Sequence, residues 1–281
     1  VAEALALACR ALRAAGARRL AVEDPSHHQT WRLIAHAGLE PVPVPVDTAG
    51  IDVAALAGAG ADAVLITPAH QFPTGVVLDP ARRAALLEWA RRAGTVVIED
   101  DYDAEYRYDR HPVGALQGLA PEHVVHVHSV SKTLAPGLRM GWAALPARFA
   151  AAVADEKRLS DLGSPALDQL TLASFLERGE LDRHLRRTRP VYRRRRDALL
   201  RGLAGLEVEG IAAGLHVLAR LPAGHAEDAV VAAAAAHGVA VDALGPHVAG
   251  APRPPSLILG YTRLAEPALA RAGRLLRSLL G

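Results

Sequence analysis

Lys132 is one of only two lysines in a chain of 281 residues that carries 32 basic side chains, the rest being arginine. Arginine replaces lysine as a surface charge, but its guanidinium stays protonated and cannot act as an amine nucleophile. A lysine that survives in such a composition marks a place to look for an amine at work. Lys132 ends the run Val124-Val-His-Val-His-Ser-Val-Ser-Lys132, which presents Ser129 and Ser131, with Arg139 following in the same segment. Two hydroxyls and a guanidinium suit a phosphate, the arginine giving a bidentate contact. The amine beside them can form an imine with an aldehyde. The blander reading of the run is a serine-rich turn before a basic surface residue. The other lysine, Lys157 in the charged stretch DEKRLSD, reads as a solvated helix residue.

A second run, Thr95-Val-Val-Ile-Glu-Asp-Asp-Tyr102, leaves an apolar strand and enters three carboxylates followed by a phenol. A carboxylate at that depth stays ionised only beside a cationic partner. The protonated pyridine nitrogen of pyridoxal-5′-phosphate (PLP) is such a partner, and holding that proton makes the ring an electron sink. A solvated acidic turn is the alternative. A third run, Val64-Leu-Ile-Thr-Pro-Ala-His-Gln-Phe-Pro-Thr-Gly75, passes from a strand into a rigid turn, where Pro73 fixes one backbone angle and Gly75 can take a positive φ. A cis bond before Pro73 is compatible with this run.

The elements that must position these runs alternate through the first half of the chain. Leu20–Val22, Ala63–Thr67, Thr95–Ile98, His123–His128 and Met140–Leu145 read as strands with helices between several of them, an α/β layer with a mainly parallel sheet flanked by helices. In open parallel sheets ligands sit beyond the carboxyl ends of the strands, where all three runs begin. From Pro146 to about Gly205 the pattern is almost wholly helical and includes a long arginine-rich helix. Strands at Leu215–Leu221, Val239–Ala243 and Ser256–Tyr261, helices at Ala226–His237 and from Glu266, and a loop at Gly245–Pro255 form a small α+β unit. The expected division is a large domain over residues 1–160, connecting helices over 161–205 and a small C-terminal domain over 206–281.

Bulk composition narrows the function classes. With 51% hydrophobic and 22% charged residues, the chain has the composition of a soluble globular protein, and no apolar run is long enough to cross a bilayer. A net charge of +2 lacks the field expected of a nucleic-acid binder, so Arg186, Arg187, Arg189 and Arg193–Arg196 read as a solvated helix paired with carboxylates such as Asp182 and Asp197. A single cysteine, Cys9, rules out an internal disulfide and suits a reducing compartment, with the cytoplasm as the default. His126 and His128 fall on one strand face without a third ligand at suitable spacing, so packed or hydrogen-bonded roles are expected rather than metal binding. The first segment, AEALALACRALRAAG, reads as mid-helix from Val1 without a preceding cap, as expected of a chain whose beginning lies upstream.

Taken in order, TPAHQFPTG, VIEDDYDAEYRY and SVSKTLAPGLRMGW closely resemble the aminotransferase-like domain of MocR-type (GntR-superfamily) transcription regulators, from about Ala2 to the C-terminus. The resemblance implies the fold of type I PLP-dependent, class I/II aminotransferases, with PLP as cofactor. It implies that Lys132 forms the Schiff base, with Asp100 as partner of the pyridine nitrogen and Tyr102 as donor to the ring 3-oxygen. Ser129, Ser131 and Arg139 look like the phosphate grip, and His27 stands where the family often carries an aromatic residue stacked on the ring. Lys132 would act deprotonated, its pKa lowered by burial and by Arg139. An amine or amino-acid ligand, a homodimer, and DNA contact only through an upstream winged-helix domain are further implications. A free-standing aminotransferase is the competing reading. Two departures from the aminotransferase pattern stand out. Phe72 occupies the place of an asparagine before the Pro-Thr-Gly turn, leaving Gln71, His70 or Tyr102 to supply its hydrogen bond. Ser256–Tyr261 lacks the arginine for a substrate carboxylate, leaving Arg253 or Arg263.

Overall fold

Seven strands set the frame of the large sheet in a computed structural model that describes residues 1–108 and 113–281. They are β1 (Arg19–Asp24), β2 (Glu40–Asp47), β3 (Gly50–Ile51), β4 (Ala63–Ile66), β5 (Val97–Asp101), β6 (Val124–Ser129) and β7 (Gly141–Ala144), in the order β3-β2-β1-β4-β5-β6-β7. The five central strands are parallel, and β3 and β7 close the edges antiparallel. Strands such as β4, buried at every position, are apolar throughout because helices cover both faces.

Alternation of side chains along each strand decides which helix they meet. Leu20, Val22, Leu65, Ile98, Val125 and Val127 pack under α1 (Ala2–Ala14), α2 (His28–His36) and α5 (Ala147–Asp161), through residues such as Cys9, Ile34 and Phe149. Ala21, Val64, Ile66, Val97 and Val124 pack on the other face under α3 (Val53–Gly58) and α4 (Pro80–Ala93), through Leu56, Leu86 and Trp89. Local sequence fixes the ends of α4: Asp79 caps it by accepting from Ala81 N–H at 2.8 Å, Pro80 opens it, and Gly94 closes it at φ 64°.

β2 is an element the pattern reading leaves out, because EPVPVPVD carries three prolines. All three lie at alternate positions, on the exposed or half-exposed side, while Val42, Val44 and Val46 are buried. Alternate residues of a strand also direct their N–H groups alternately, so the missing donors of Pro41, Pro43 and Pro45 all fall on one side. The valines keep theirs for the parallel ladder with β1.

Beyond α5 the chain is helical as expected, through α6 (Ala166–Glu177) and α7 (Glu180–Gly202), the latter continuing across Pro190. A second, antiparallel sheet follows, β10-β11-β9-β8, from β8 (Val208–Glu209), β9 (His216–Arg220), β10 (Asp242–Ala243) and β11 (Ser256–Gly260). With α8 (Glu227–Ala236) and α9 (Glu266–Ser278) it closes a core of its own, to which α7 and the residue after it contribute Ala198, Leu199 and Leu203. The strand expected at Val239–Ala243 shrinks to β10. Of the α7 arginines, Arg186, Arg187 and Arg193 are exposed, as expected of a solvated helix, while the pairings differ from those expected: Arg194 pairs with Glu266 at 2.9 Å, and Arg189 and Arg195 donate to the carbonyls of Glu105 and Thr262. Among the described residues no helix is long and apolar enough to cross a membrane.

α7 and α9 touch backbone to backbone. A Cβ added at Gly202 would stand 2.7 Å from Ala270 O and 2.9 Å from Gly273 Cα, both closer than a carbon can sit without a shift. Gly202→Ala is therefore expected to destabilise the chain by about 1–3 kcal/mol, by forcing the helices apart. A thermal melt with a midpoint equal to that of the parent chain would contradict this.

Candidate functional site

The sheet changes direction at β1: β2 lies on one side, and β4, β5 and β6 on the other. Such a switch point opens a crevice beyond the carboxyl ends of the strands. The segments that leave β1, β4, β5 and β6 there carry Ser26-His27-His28, the 67–75 turn, Tyr102-Asp103 and Ser131-Lys132.

Asp100 follows Ile98 by two residues, and its register partner is Val127, so it shares a sheet face with Val125, Val127 and Ser129. Its Oδ1 is buried and has no hydrogen-bond partner among the described residues. Burial pushes its pKa up to about 7; the Val1 amino group works against this, and Asp101 and Asp103 add to it. An unsatisfied buried acceptor costs about 1–3 kcal/mol. A cationic ring N–H is the kind of donor that relieves both the missing bond and the buried charge.

Tyr102 donates its hydroxyl to the His70 carbonyl at 3.0 Å. Burial, followed by the charges of Asp103 and Asp100, holds this phenol well above its ordinary pKa, so it remains a donor. The His70 ring meets Asp103 Oδ2 at 2.9 Å, both side chains being buried, and packs 5.1 Å from the ring of His216. His216 donates from Nε2 to Pro73 O at 3.1 Å. Burial pushes its pKa down to about 3, helped by His70 and by the Lys132 ammonium.

Lys132 stands on the turn past the end of β6 and is exposed, not buried as expected. Among the described residues it has no ion-pair partner, whereas Lys157 is bound by Glu3 and Asp161. The same ammonium adds to the lowering at His27, whose pKa is pushed down to about 4 chiefly by burial and by His247 and His28. The rings of His27 and His216 both lie against Phe72, at 5.5 and 5.0 Å. His27 caps α2, accepting from Gln29 N–H at 3.2 Å, and its ring lies 5.5 Å from that of Phe72.

Ser129 is buried and accepts from Ser131 N–H at 3.1 Å. Arg139 is exposed at the end of a 3-10 turn, with a left-handed φ of 52°.

The bond before Pro73 is cis. The two departures also find their context. Gln71 is spent inside its own turn, donating to Pro25 O at 2.8 Å and Phe72 O at 2.6 Å and accepting from Thr74. Phe72 packs against Leu218, Leu244 and Ile258, an apolar wall where the small sheet meets the site. Arg253 donates to Val46 O, and Arg263 is exposed beyond β11. His216 and buried Glu23, which accepts from Thr67 N–H at 2.9 Å, were not singled out in the sequence. Their only signal is a polar residue at the edge of an apolar strand.

A model of the aminotransferase class I and II family matches residues 1–256. An uncharacterised HTH-type transcriptional regulator of Bacillus subtilis, YhdI, is 33% identical over 88% of this chain and 54% of its own length. The HTH-type pyridoxine biosynthesis transcriptional regulator PdxR of Corynebacterium glutamicum is 33% identical over 86% of this chain and 54% of its own. The chain spans about half the length of the curated relatives it matches. Among solved structures, LysN, an alpha-aminoadipate aminotransferase of Thermus thermophilus complexed with N-(5′-phosphopyridoxyl)-L-leucine, superposes with a TM-score of 0.87 at 26% identity. That superposition covers 98% of this chain and 75% of LysN.

Proposed function

The chain belongs to the class I and II aminotransferase family, with the fold type I architecture and PLP as its cofactor, and we propose that it serves as the effector-sensing part of a MocR-type transcription regulator. The observation that carries this reading is that HTH-type regulators match nearly the whole chain with only half of their own length. The reading includes a PLP-binding large domain over residues 1–160, connecting helices over 161–205 and a small C-terminal domain over 206–281, supported by the two separate sheets and cores. It further includes a homodimer, a cytoplasmic location and DNA contact through a separate winged-helix domain.

In this reading Lys132 would hold the cofactor through its amine, and the unsatisfied Oδ1 of Asp100 would accept the pyridinium N–H. PLP, when bound, supplies an electron sink at the carbon bearing the ligand's nitrogen. Tyr102 keeps its phenolic proton and, with PLP bound, would turn it from the His70 carbonyl to the ring oxygen. Ser129, Ser131 and Arg139 take the phosphate. His27 is neutral near pH 7 and stacks without bringing a charge to the ring. A bound amine that took the place of Lys132 would leave its Nζ free, and a signal would result if the two lysine states differ in affinity for domain arrangements.

The test is a panel of amines and amino acids added to the PLP-loaded chain. The expected result is a spectral shift with a subset of them and no accumulation of a keto acid when a keto-acid acceptor is supplied. Sustained keto-acid formation at rates of the order of 1 s⁻¹ or faster, typical of enzymes, would favour the alternative, a free-standing aminotransferase. The likeness to LysN is what keeps that alternative in view.

A further inference from the structure

On the face of the sheet opposite Asp100, four ionisable groups stand side by side because register pairs Glu99 with His126 and Asp101 with His128. Each histidine is fixed through one ring nitrogen by a carboxylate. His126 Nδ1 meets Glu99 Oε2 at 3.2 Å, and His128 Nε2 meets Glu105 Oε1 at 2.7 Å. Glu99 is itself held by the N–H groups of Leu116 and Gln117 at 2.8 and 3.1 Å. In the neutral imidazole, which an ion would select, a carboxylate on one nitrogen sets the tautomer and leaves the lone pair on the other. Those other nitrogens, His126 Nε2 and His128 Nδ1, both face Asp101 Oδ2, at 3.8 and 3.9 Å. Such distances are too long for hydrogen bonds. The three donor atoms lie within 4.8 Å of one another.

We propose that His126 Nε2, His128 Nδ1 and Asp101 Oδ2 form a binding site for a divalent late first-row metal ion, Zn²⁺ above all, with Glu99 and Glu105 orienting the two imidazoles. Two imidazoles and a carboxylate are donors of the kind this ion takes; an ion–donor distance of about 2.0–2.2 Å asks each His–Asp101 gap to close by up to roughly half an ångström, and the His–His gap, within 4.8 Å, to close to a similar span. Carboxylates bound to the far nitrogens of ligating histidines are the usual outer support of such sites. The sequence shows two of the three ligands at once; the third comes from the neighbouring strand and is visible only through register. Glu105 Oε2, buried and without a partner among the described residues, is one more oxygen close to the cluster. The site stands apart from the cofactor reading, since its side chains point to the other sheet face. An ion there would tie together the ends of the two strands that carry Asp100 and lead to Lys132.

The test is calorimetric titration of Zn²⁺ into the PLP-loaded chain, stripped of metal by chelation and dialysed, with metal content measured after gel filtration. One equivalent bound at micromolar affinity or tighter is expected. Asp101→Asn, which keeps the side-chain shape, and His126→Ala should each weaken it by at least tenfold. His237→Ala, at the exposed C-terminal end of α8, should leave it unchanged. Circular dichroism checks that each variant is folded. Binding weaker than millimolar in the parent chain, or binding that persists undiminished in folded Asp101→Asn and His126→Ala chains, overturns the site.

Discussion

Asp100→Asn is expected to move stability and cofactor retention in opposite directions. In the cofactor-free chain the Asp100 carboxyl has its pKa raised by burial to about 7. A carboxyl whose folded-state pKa exceeds its unfolded value favours folding fully only below the unfolded value, and that contribution is lost as pH rises through the folded value. Between about pH 4 and pH 7 the cofactor-free chain should therefore lose stability, by up to about 4 kcal/mol from this group alone. Asparagine removes the ionisation, so the variant should melt higher than the parent at pH 8 and about equal to it at pH 4. Glu23, raised by burial to about 7 as well, keeps the remaining slope in both proteins. Cofactor binding should go the other way. Losing a charge-assisted hydrogen bond to the pyridinium costs about 2–3 kcal/mol, which is a roughly 30- to 150-fold weaker hold on PLP. A variant that melts lower at pH 8 and keeps PLP as tightly as the parent would contradict both halves.

Lys132→Ala should abolish the visible absorption that PLP acquires on joining a protein amine, leaving the spectrum of the unattached cofactor. The other lysine, Lys157 on α5, is engaged by Glu3 and Asp161 and is not placed to substitute. Lys132→Arg should fail equally, since it keeps the charge and removes the nucleophile. Retained PLP without the band would show that the phosphate and ring contacts bind independently of the covalent link.

Much of this architecture was legible because parallel strands announce themselves as short apolar runs, and because three of the four segments entering the crevice carry chemistry at their first polar residues. Lys132 stood out by the scarcity of lysine, and Asp100 by a carboxylate placed where a strand is still buried. β2 was hidden by its prolines, which read as breakers until their common parity is noticed. β3 and β8, two residues each, are too short for any period to show. The exposure of Lys132, next to buried Thr133, is encoded in no local pattern. His216 reaches the site from the distant small sheet to bond Pro73, and Asp101 meets His126 and His128 only through strand register. Both are long-range facts, to which one-dimensional spacing is blind.

The most direct measurement is to reduce the PLP-loaded chain with borohydride, digest it and locate the phosphopyridoxyl group by mass spectrometry. With only two lysines and one amino terminus to distinguish, the answer is unambiguous. Modification of the peptide containing Lys132, at close to one group per chain, is the expected result. Modification at Lys157 or Val1, with Lys132 untouched, would contradict the assignment of Lys132 as the amine that meets the cofactor.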